Sequence, residues 1–142
     1  MFINTNPQIQ TIVEQLCFGA ILSENSTKHA IHLGFISIDD AIMTCISSYV
    51  ATKNKDTISN DFDIWLDILE KDNKITVYEK NDIKKYHNAR ENILNQQDML
   101  MMEINEKYIV LLKILLAYLF DYRLSKSDWE KRIKEYKHKL NL

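Results

Sequence analysis

Residues 99–124 read MLMMEINEKYIVLLKILLAYLFDYRL, and their apolar content sets the fold class expected of the whole chain. Met, Ile, Leu, Tyr and Phe recur on nearly all sides of any helix drawn through it. A helix apolar all round is a buried one, at the centre of a bundle or against a second subunit. Its longest apolar run, residues 109–120, is interrupted by Lys113 and is too short to span a bilayer. The expectation is a core helix and no membrane partner.

Outward from this stretch the chain stays helical. Two glycines and one proline in 142 residues leave little raw material for hairpins or Gly-rich phosphate loops. Apolar residues at 46% and charged residues at 27% describe a folded chain of one-domain size rather than a disordered one. Upstream, Asn6-Pro7 opens a helix over residues 7–22 with the stripe Ile9, Ile12, Val13, Leu16, Cys17, Ala20 and Ile21. The polar run Ser23–Thr27 ends it, and a short helical turn follows over residues 28–33 before Gly34. Ser37 then caps a helix whose stripe is Ile38, Ala41, Ile42, Cys45, Ile46, Tyr49 and Val50, with Asp39 and Asp40 at the positive end of its dipole. Residues 52–60 form the longest loop.

Ser59 caps a short helix with Phe62, Trp65, Leu66 and Leu69. Asp72-Asn73 makes a turn, and Thr76-x-x-Glu79 is a capping box opening a helix with Ile83, Tyr86, Ala89, Arg90, Ile93 and Leu94. Gln96-Gln97-Asp98 breaks or bends the chain. Past the apolar stretch, Ser127-x-x-Glu130 opens a last helix over residues 128–140. The fold class expected is all-α: one single-domain bundle of five or six helices, with short connections between antiparallel neighbours.

The charge is unevenly spread. Formal net charge is −2, but residues 123–142 hold seven Lys or Arg against three Asp or Glu, leaving eleven against seventeen elsewhere. In the last helix Lys131, Arg132, Lys134, Lys137 and Lys139 flank Trp129, Ile133, Tyr136 and Leu140. Lys131, Arg132, Lys134 and Lys137 are the candidates for a phosphate track along RNA. The alternative is an amphipathic helix whose lysine stems run beside the stripe that docks on the bundle. Cys17 and Cys45 sit among apolar residues without a CxxC, as buried free thiols of a reducing compartment do. The first residues lack the basic region and cleavage site of a signal peptide, so the chain reads as cytoplasmic.

Chemistry concentrates in Lys84-Lys85-Tyr86-His87-Asn88-Ala89-Arg90-Glu91-Asn92-Ile93-Leu94-Asn95, where about two turns of one helix would carry His87, Arg90, Glu91 and Asn95. Phe62-x-x-Trp65-Leu66-x-x-Leu69 leads through Lys74-Ile75-Thr76 to Ile83-x-x-Tyr86-x-x-Ala89-Arg90 and then the long apolar helix. In this order, over residues 38–122, the chain resembles the HEPN superfamily, small helical bundles of bacterial defence, toxin–antitoxin and RNA-processing systems. The family motif is Arg, commonly followed by Asn or another polar residue, with His about five positions after the Arg. Arg90 matches; Glu91 stands where Asn is common, and Asn95 stands where His is expected.

The resemblance implies a homodimer with Arg90 and the apolar helix near the two-fold axis, and a scaffold for metal-independent RNA cleavage. That reaction needs one group to take a proton from the ribose 2′-OH and another to protonate the leaving oxygen. An amide does not titrate, whereas Arg90 can still hold a phosphate through its forked donors. The first expectation is therefore a non-catalytic HEPN-like dimer that binds RNA or a protein partner in a defence or toxin–antitoxin setting. The second is a divergent ribonuclease using Arg90 with His87 or Asn95. The third is a helical adaptor unrelated to RNA.

Each candidate has a plainer reading: a local hydrogen bond for His87, an ion pair with a neighbouring helix for Arg90, a solvated charge for Glu91. His29 and His32 lie three apart, but no HExxH or Glu-x-x-His set completes them. Asp61, Asp63 and Asp67 read as solvated acids. Neither a metal nor a cofactor is expected.

Overall fold

The computed structural model describes residues 7–24, 28–53, 61–95 and 97–141. Six α-helices and one 3-10 segment account for the regular structure there, with no strand among the described residues. The helices are α1 (Pro7–Ser23), α2 (Lys28–Lys53), α3 (Phe62–Lys71), α4 (Val77–Asn88), α5 (Asp98–Phe120) and α6 (Lys126–Lys139). The 3-10 segment, Ala89–Asn95, joins α4 to the approach of α5. The all-α bundle expected from the apolar periodicity is the observed architecture.

The α1–α2 hairpin is its tightest part, and both glycines of the chain sit in it. A Cβ at Gly34 would lie 2.7 Å from Ser23 Oγ and 2.9 Å from the carbonyl oxygen of Gly19; one at Gly19 would run into Ile38. Glycine lets the two backbones approach where any side chain would force them apart. This corrects the expected boundary at Gly34. Residues 28–53 form one helix, and Ser37 does not cap it; its hydroxyl donates across the hairpin to the carbonyl of Gln15 at 2.7 Å. The helix runs through because Ile31, Phe35, Ile38, Ala41, Ile42, Cys45 and Ile46 make one continuous buried stripe.

Residues 29–53 are also long and apolar enough to cross a membrane by length and composition, yet 61% of the most apolar window is buried inside the bundle. A core helix passes the same test. Cys17 and Cys45 are buried free thiols, and burial pushes their pKa values up to about 11 and about 12.

Other boundaries follow their local chemistry. Asp61 caps α3 by accepting from the amide of Asp63 at 2.9 Å; the predicted caps Asn6 and Ser59 lie outside the described residues. Asn73 takes a left-handed φ of 57° in the turn expected at Asp72-Asn73, and both bonds of the Thr76–Glu79 capping box form. The α4 helix ends sooner than its stripe predicts. From Ala89 the backbone tightens into 3-10 geometry with a non-helical kink at Asn92, so Arg90, Glu91 and Asn95 do not share a continuous α-helix with His87.

Likewise α5 stops at Phe120 rather than residue 124, closed by Asp121 at φ 51°. It is not buried all round: Met101, Ile104, Tyr108, Leu112, Leu115 and Leu116 face the core, while Met99, Met102, Val110 and Tyr118 are exposed. Finally α6 begins two residues before the predicted start. Ser125, not Ser127, caps it, accepting from the amide of Asp128 at 3.1 Å. No α6 residue is buried. Its stripe rests on α1 and α5 through Tyr136 against Phe18, ring centroids 5.0 Å apart, and Trp129 under the Lys113 ammonium at 3.8 Å.

Candidate functional site

The centre of the polar interior is Asp39, which is fully buried on α2. A lone carboxylate there would cost several kcal/mol in lost hydration unless it were matched by donors. Three elements supply them. Tyr108 of α5 donates its hydroxyl to Oδ1 at 2.5 Å, and the Arg90 guanidinium, on the 3-10 segment, donates Nη1 to Oδ2 at 3.0 Å. His87, near the end of α4, presents Nδ1 at 2.9 and 3.0 Å from the two oxygens. The same Nη1 of Arg90 donates to Oδ1 of Asp40 at 2.7 Å.

This arrangement sets the titration of its members. The hydrogen bond that His87 donates to Asp39 raises the pKa of His87, opposed by burial and by the nearby Arg90 charge. A ring nitrogen facing a carboxylate this closely carries the proton, so Nδ1 is the N–H and Nε2 is the nitrogen turned away from the carboxylate. Phe62 covers the imidazole, ring centroids 4.3 Å apart. Burial, then the charge of Asp39, lifts the Tyr108 phenol well above its ordinary value, so it stays a donor. Arg90 is held still more firmly protonated, first by its hydrogen bond with Asp40.

Of the four motif residues, His87 and Arg90 converge on one carboxylate. Glu91 and Asn95 are exposed on the 3-10 segment, and neither gives the cluster a hydrogen bond among the described residues. Asp39, Asp40 and Tyr108 were not anticipated as partners. The expected placement of Asp39 and Asp40 in a first helical turn fails because α2 begins at Lys28, which puts both acids in mid-helix. A signal for Asp39 did exist. Phe35, Ile38, Asp39 and Ile42 follow core spacing, so a carboxylate stood on a buried stripe and required partners.

The remaining candidates disperse. His29 is exposed and His32 buried, and no group of three His, Cys, Asp or Glu among the described residues could hold a metal ion. Asp61 is a cap, Asp63 pairs with Lys84 at 3.7 Å, and Asp67 with Glu70 embraces Lys80. On α6, Lys131 and Lys134 point to solvent, whereas Arg132 donates to the Tyr122 hydroxyl at 3.2 Å and Lys137 pairs with Glu24 at 3.1 Å. A hollow of about 880 Å³ lies here, lined by Trp129, Lys131, Lys134, Lys137 and Glu24 among others. It is broad and open, and lies away from the Asp39 cluster. Two smaller grooves, of about 410 and 380 Å³, run between α4 and α5 and share Tyr86 and Lys107.

Comparison with protein-family models, with curated proteins and with solved structures gave no match.

Proposed function

We propose that the chain is a non-catalytic HEPN-like binding protein, acting as a homodimer in a bacterial or phage defence or toxin–antitoxin setting. The observation that carries this reading is the commitment of Arg90 to two carboxylates, with His87 locked by Nδ1 onto the first of them. Groups that would move protons in RNA cleavage are here occupied with holding α2, α4 and α5 together. Asn95, at the motif's last position, offers an amide that neither accepts nor releases a proton near neutral pH. What stays available is binding surface. The apolar α5 residues Met99, Met102, Val110 and Tyr118 support self-association, and the cations Lys131 and Lys134 support contact with RNA.

One observation favours the enzyme as a second reading. Asp39 holds the His87 ring by Nδ1 and leaves Nε2 on the side away from the carboxylate, the tautomer and orientation a carboxylate gives a general base. The two readings part on one measurement. Purified protein with RNA and a chelator is expected to leave the RNA intact; RNA cleavage that disappears in Arg90→Ala and His87→Gln would replace the first reading by the second. Light scattering is expected to give twice the chain mass, and Val110→Glu to halve it without loss of helicity.

A further inference from the structure

Asp39 and Asp40 are adjacent in sequence and do different work. Asp39 is buried and holds three donors, so its bond to Arg90 is one among several. Asp40 keeps 40% of its side chain in solvent and Arg90 keeps 35%, so their 2.7 Å contact lies at the surface. A half-exposed pair of this kind adds little to folding. The Asp39 carboxylate has already balanced the guanidinium, and Asp40 sets a second carboxylate on the outer side of the same Nη1. That oxygen takes an Nη1 hydrogen that a phosphate oxygen could accept in its place, because carboxylate and phosphate oxygens are both acceptors for a guanidinium N–H.

We infer that Asp40 is a built-in competitor for a phosphate-type oxyanion at Arg90, keeping the site shut until an anion displaces its carboxylate. This goes beyond the α5 and α6 surfaces proposed above: the bond of Arg90 to Asp39 stays structural, and only its Asp40 side is given a binding role. Displacement is mechanically cheap, since Asp40 is half in water and leaves no buried charge behind when it turns outward. Displacing Asp39 instead would strand a buried carboxylate against Tyr108 and His87, so the anion's seat is the Asp40 side. Charge points the same way. With His87 neutral, two carboxylates face one guanidinium and the cluster is net negative; removing the Asp40 charge makes it neutral, and protonation of His87 then makes it positive. Competition by a surface ion pair hides a site by a factor of up to about five, and loss of the like charge adds to the gain on its removal.

The test compares wild type, Asp40→Asn, Asp40→Ala and the double variant Asp40→Asn/Arg90→Gln. Each is titrated with inorganic phosphate against chloride at matched ionic strength and, separately, with a short single-stranded RNA. Both single variants are expected to bind phosphate about fivefold more tightly than wild type, with the gain gone in the double variant. A gain for phosphate alone assigns the seat to a free phosphate group; a gain for both ligands assigns it to a nucleic-acid backbone. Single variants that match wild type for both ligands would overturn the inference. So would a gain that persists without Arg90, which would be a general effect of net charge. Far-UV circular dichroism and unfolding midpoints keep the comparison to folded protein, and two variants at a half-exposed position guard against misfolding of either. Light scattering and RNA integrity are read separately, so a failed dimer or an active nuclease is not confused with an ungated Arg90.

Discussion

Asp39 and Lys131 are both charged residues on long helices, and their surroundings are opposite. Asp39 lies wholly inside the bundle under donors from α4, the 3-10 segment and α5, whereas Lys131 stands in solvent on a helix with no buried residue. Around Asp39 each charge has a fixed partner, and the partners come from different elements. On α6 two of the four candidate cations are tied and two are not, and the helix is held by ring contacts and surface pairs. The lesson is a division of labour. Charge taken into the core specifies how helices meet, while an exposed side chain such as Lys131 adds little to the fold and is open to a ligand.

The sharpest way to break that contrast is to remove Asp39. Asp39→Ala strands Arg90, His87 and Tyr108 without their common acceptor, and breaking a buried pair in this way costs about 3–5 kcal/mol. Urea unfolding is expected to show a loss of this size, and a loss below about 1 kcal/mol would mean that the cluster is not structural. Tyr108→Phe is the milder cut. It deletes one donor to a charged acceptor and leaves the packing of Tyr108 against Phe35 and Tyr86 intact, at a cost of about 1.5–3 kcal/mol.

How much of this was legible beforehand depends on the range of the interaction involved. Helices announced themselves, because the stripes of α1 and α5 and the Thr76–Glu79 box are local patterns. Ser37 misled because a serine beside an acid pair looks like a cap, and only the α1–α2 crossing shows its hydroxyl spent on Gln15. The 3-10 segment was hidden for a related reason: Ala89 to Leu94 carry helical spacing, and the tie from Arg90 to α2 spans 51 residues. His87 and Arg90 were found as a pair from their spacing of three. Their acceptor was not, since pairing across the bundle leaves no periodic trace. The open face of α5 was equally beyond reach, because apolar residues on all sides do not say which side a neighbour covers.

The pH dependence of stability sharpens the contrast from the interior side. His87 has a folded-state pKa above its ordinary 6.5, chiefly through the bond with Asp39, so the folded protein binds the imidazole proton more tightly than the unfolded chain does. Its contribution is complete below the ordinary value and is lost as pH rises through the folded-state value. Wild type is therefore expected to lose stability from about pH 6.5 upward, with a slope that His87→Gln flattens. A slope unchanged by the substitution would detach His87 from the cluster.

The smallest effect on stability is expected on α6, where it is the most informative about function. Reversing Lys131 and Lys134 to Glu should change unfolding free energy by no more than about 0.5 kcal/mol, since neither side chain has a place in the packing. If the outer face of α6 meets an RNA backbone, the same double change weakens binding for every sequence alike and lowers the salt slope by about two. Arg132 and Lys137 serve as the internal control. Both are engaged within the bundle, to Tyr122 and Glu24, so reversing them perturbs α6 docking as well as binding. An RNA affinity that ignores Lys131 and Lys134 at low salt would leave α6 as a solvated face, and would move the search for a nucleic-acid contact to Arg90 and its gate.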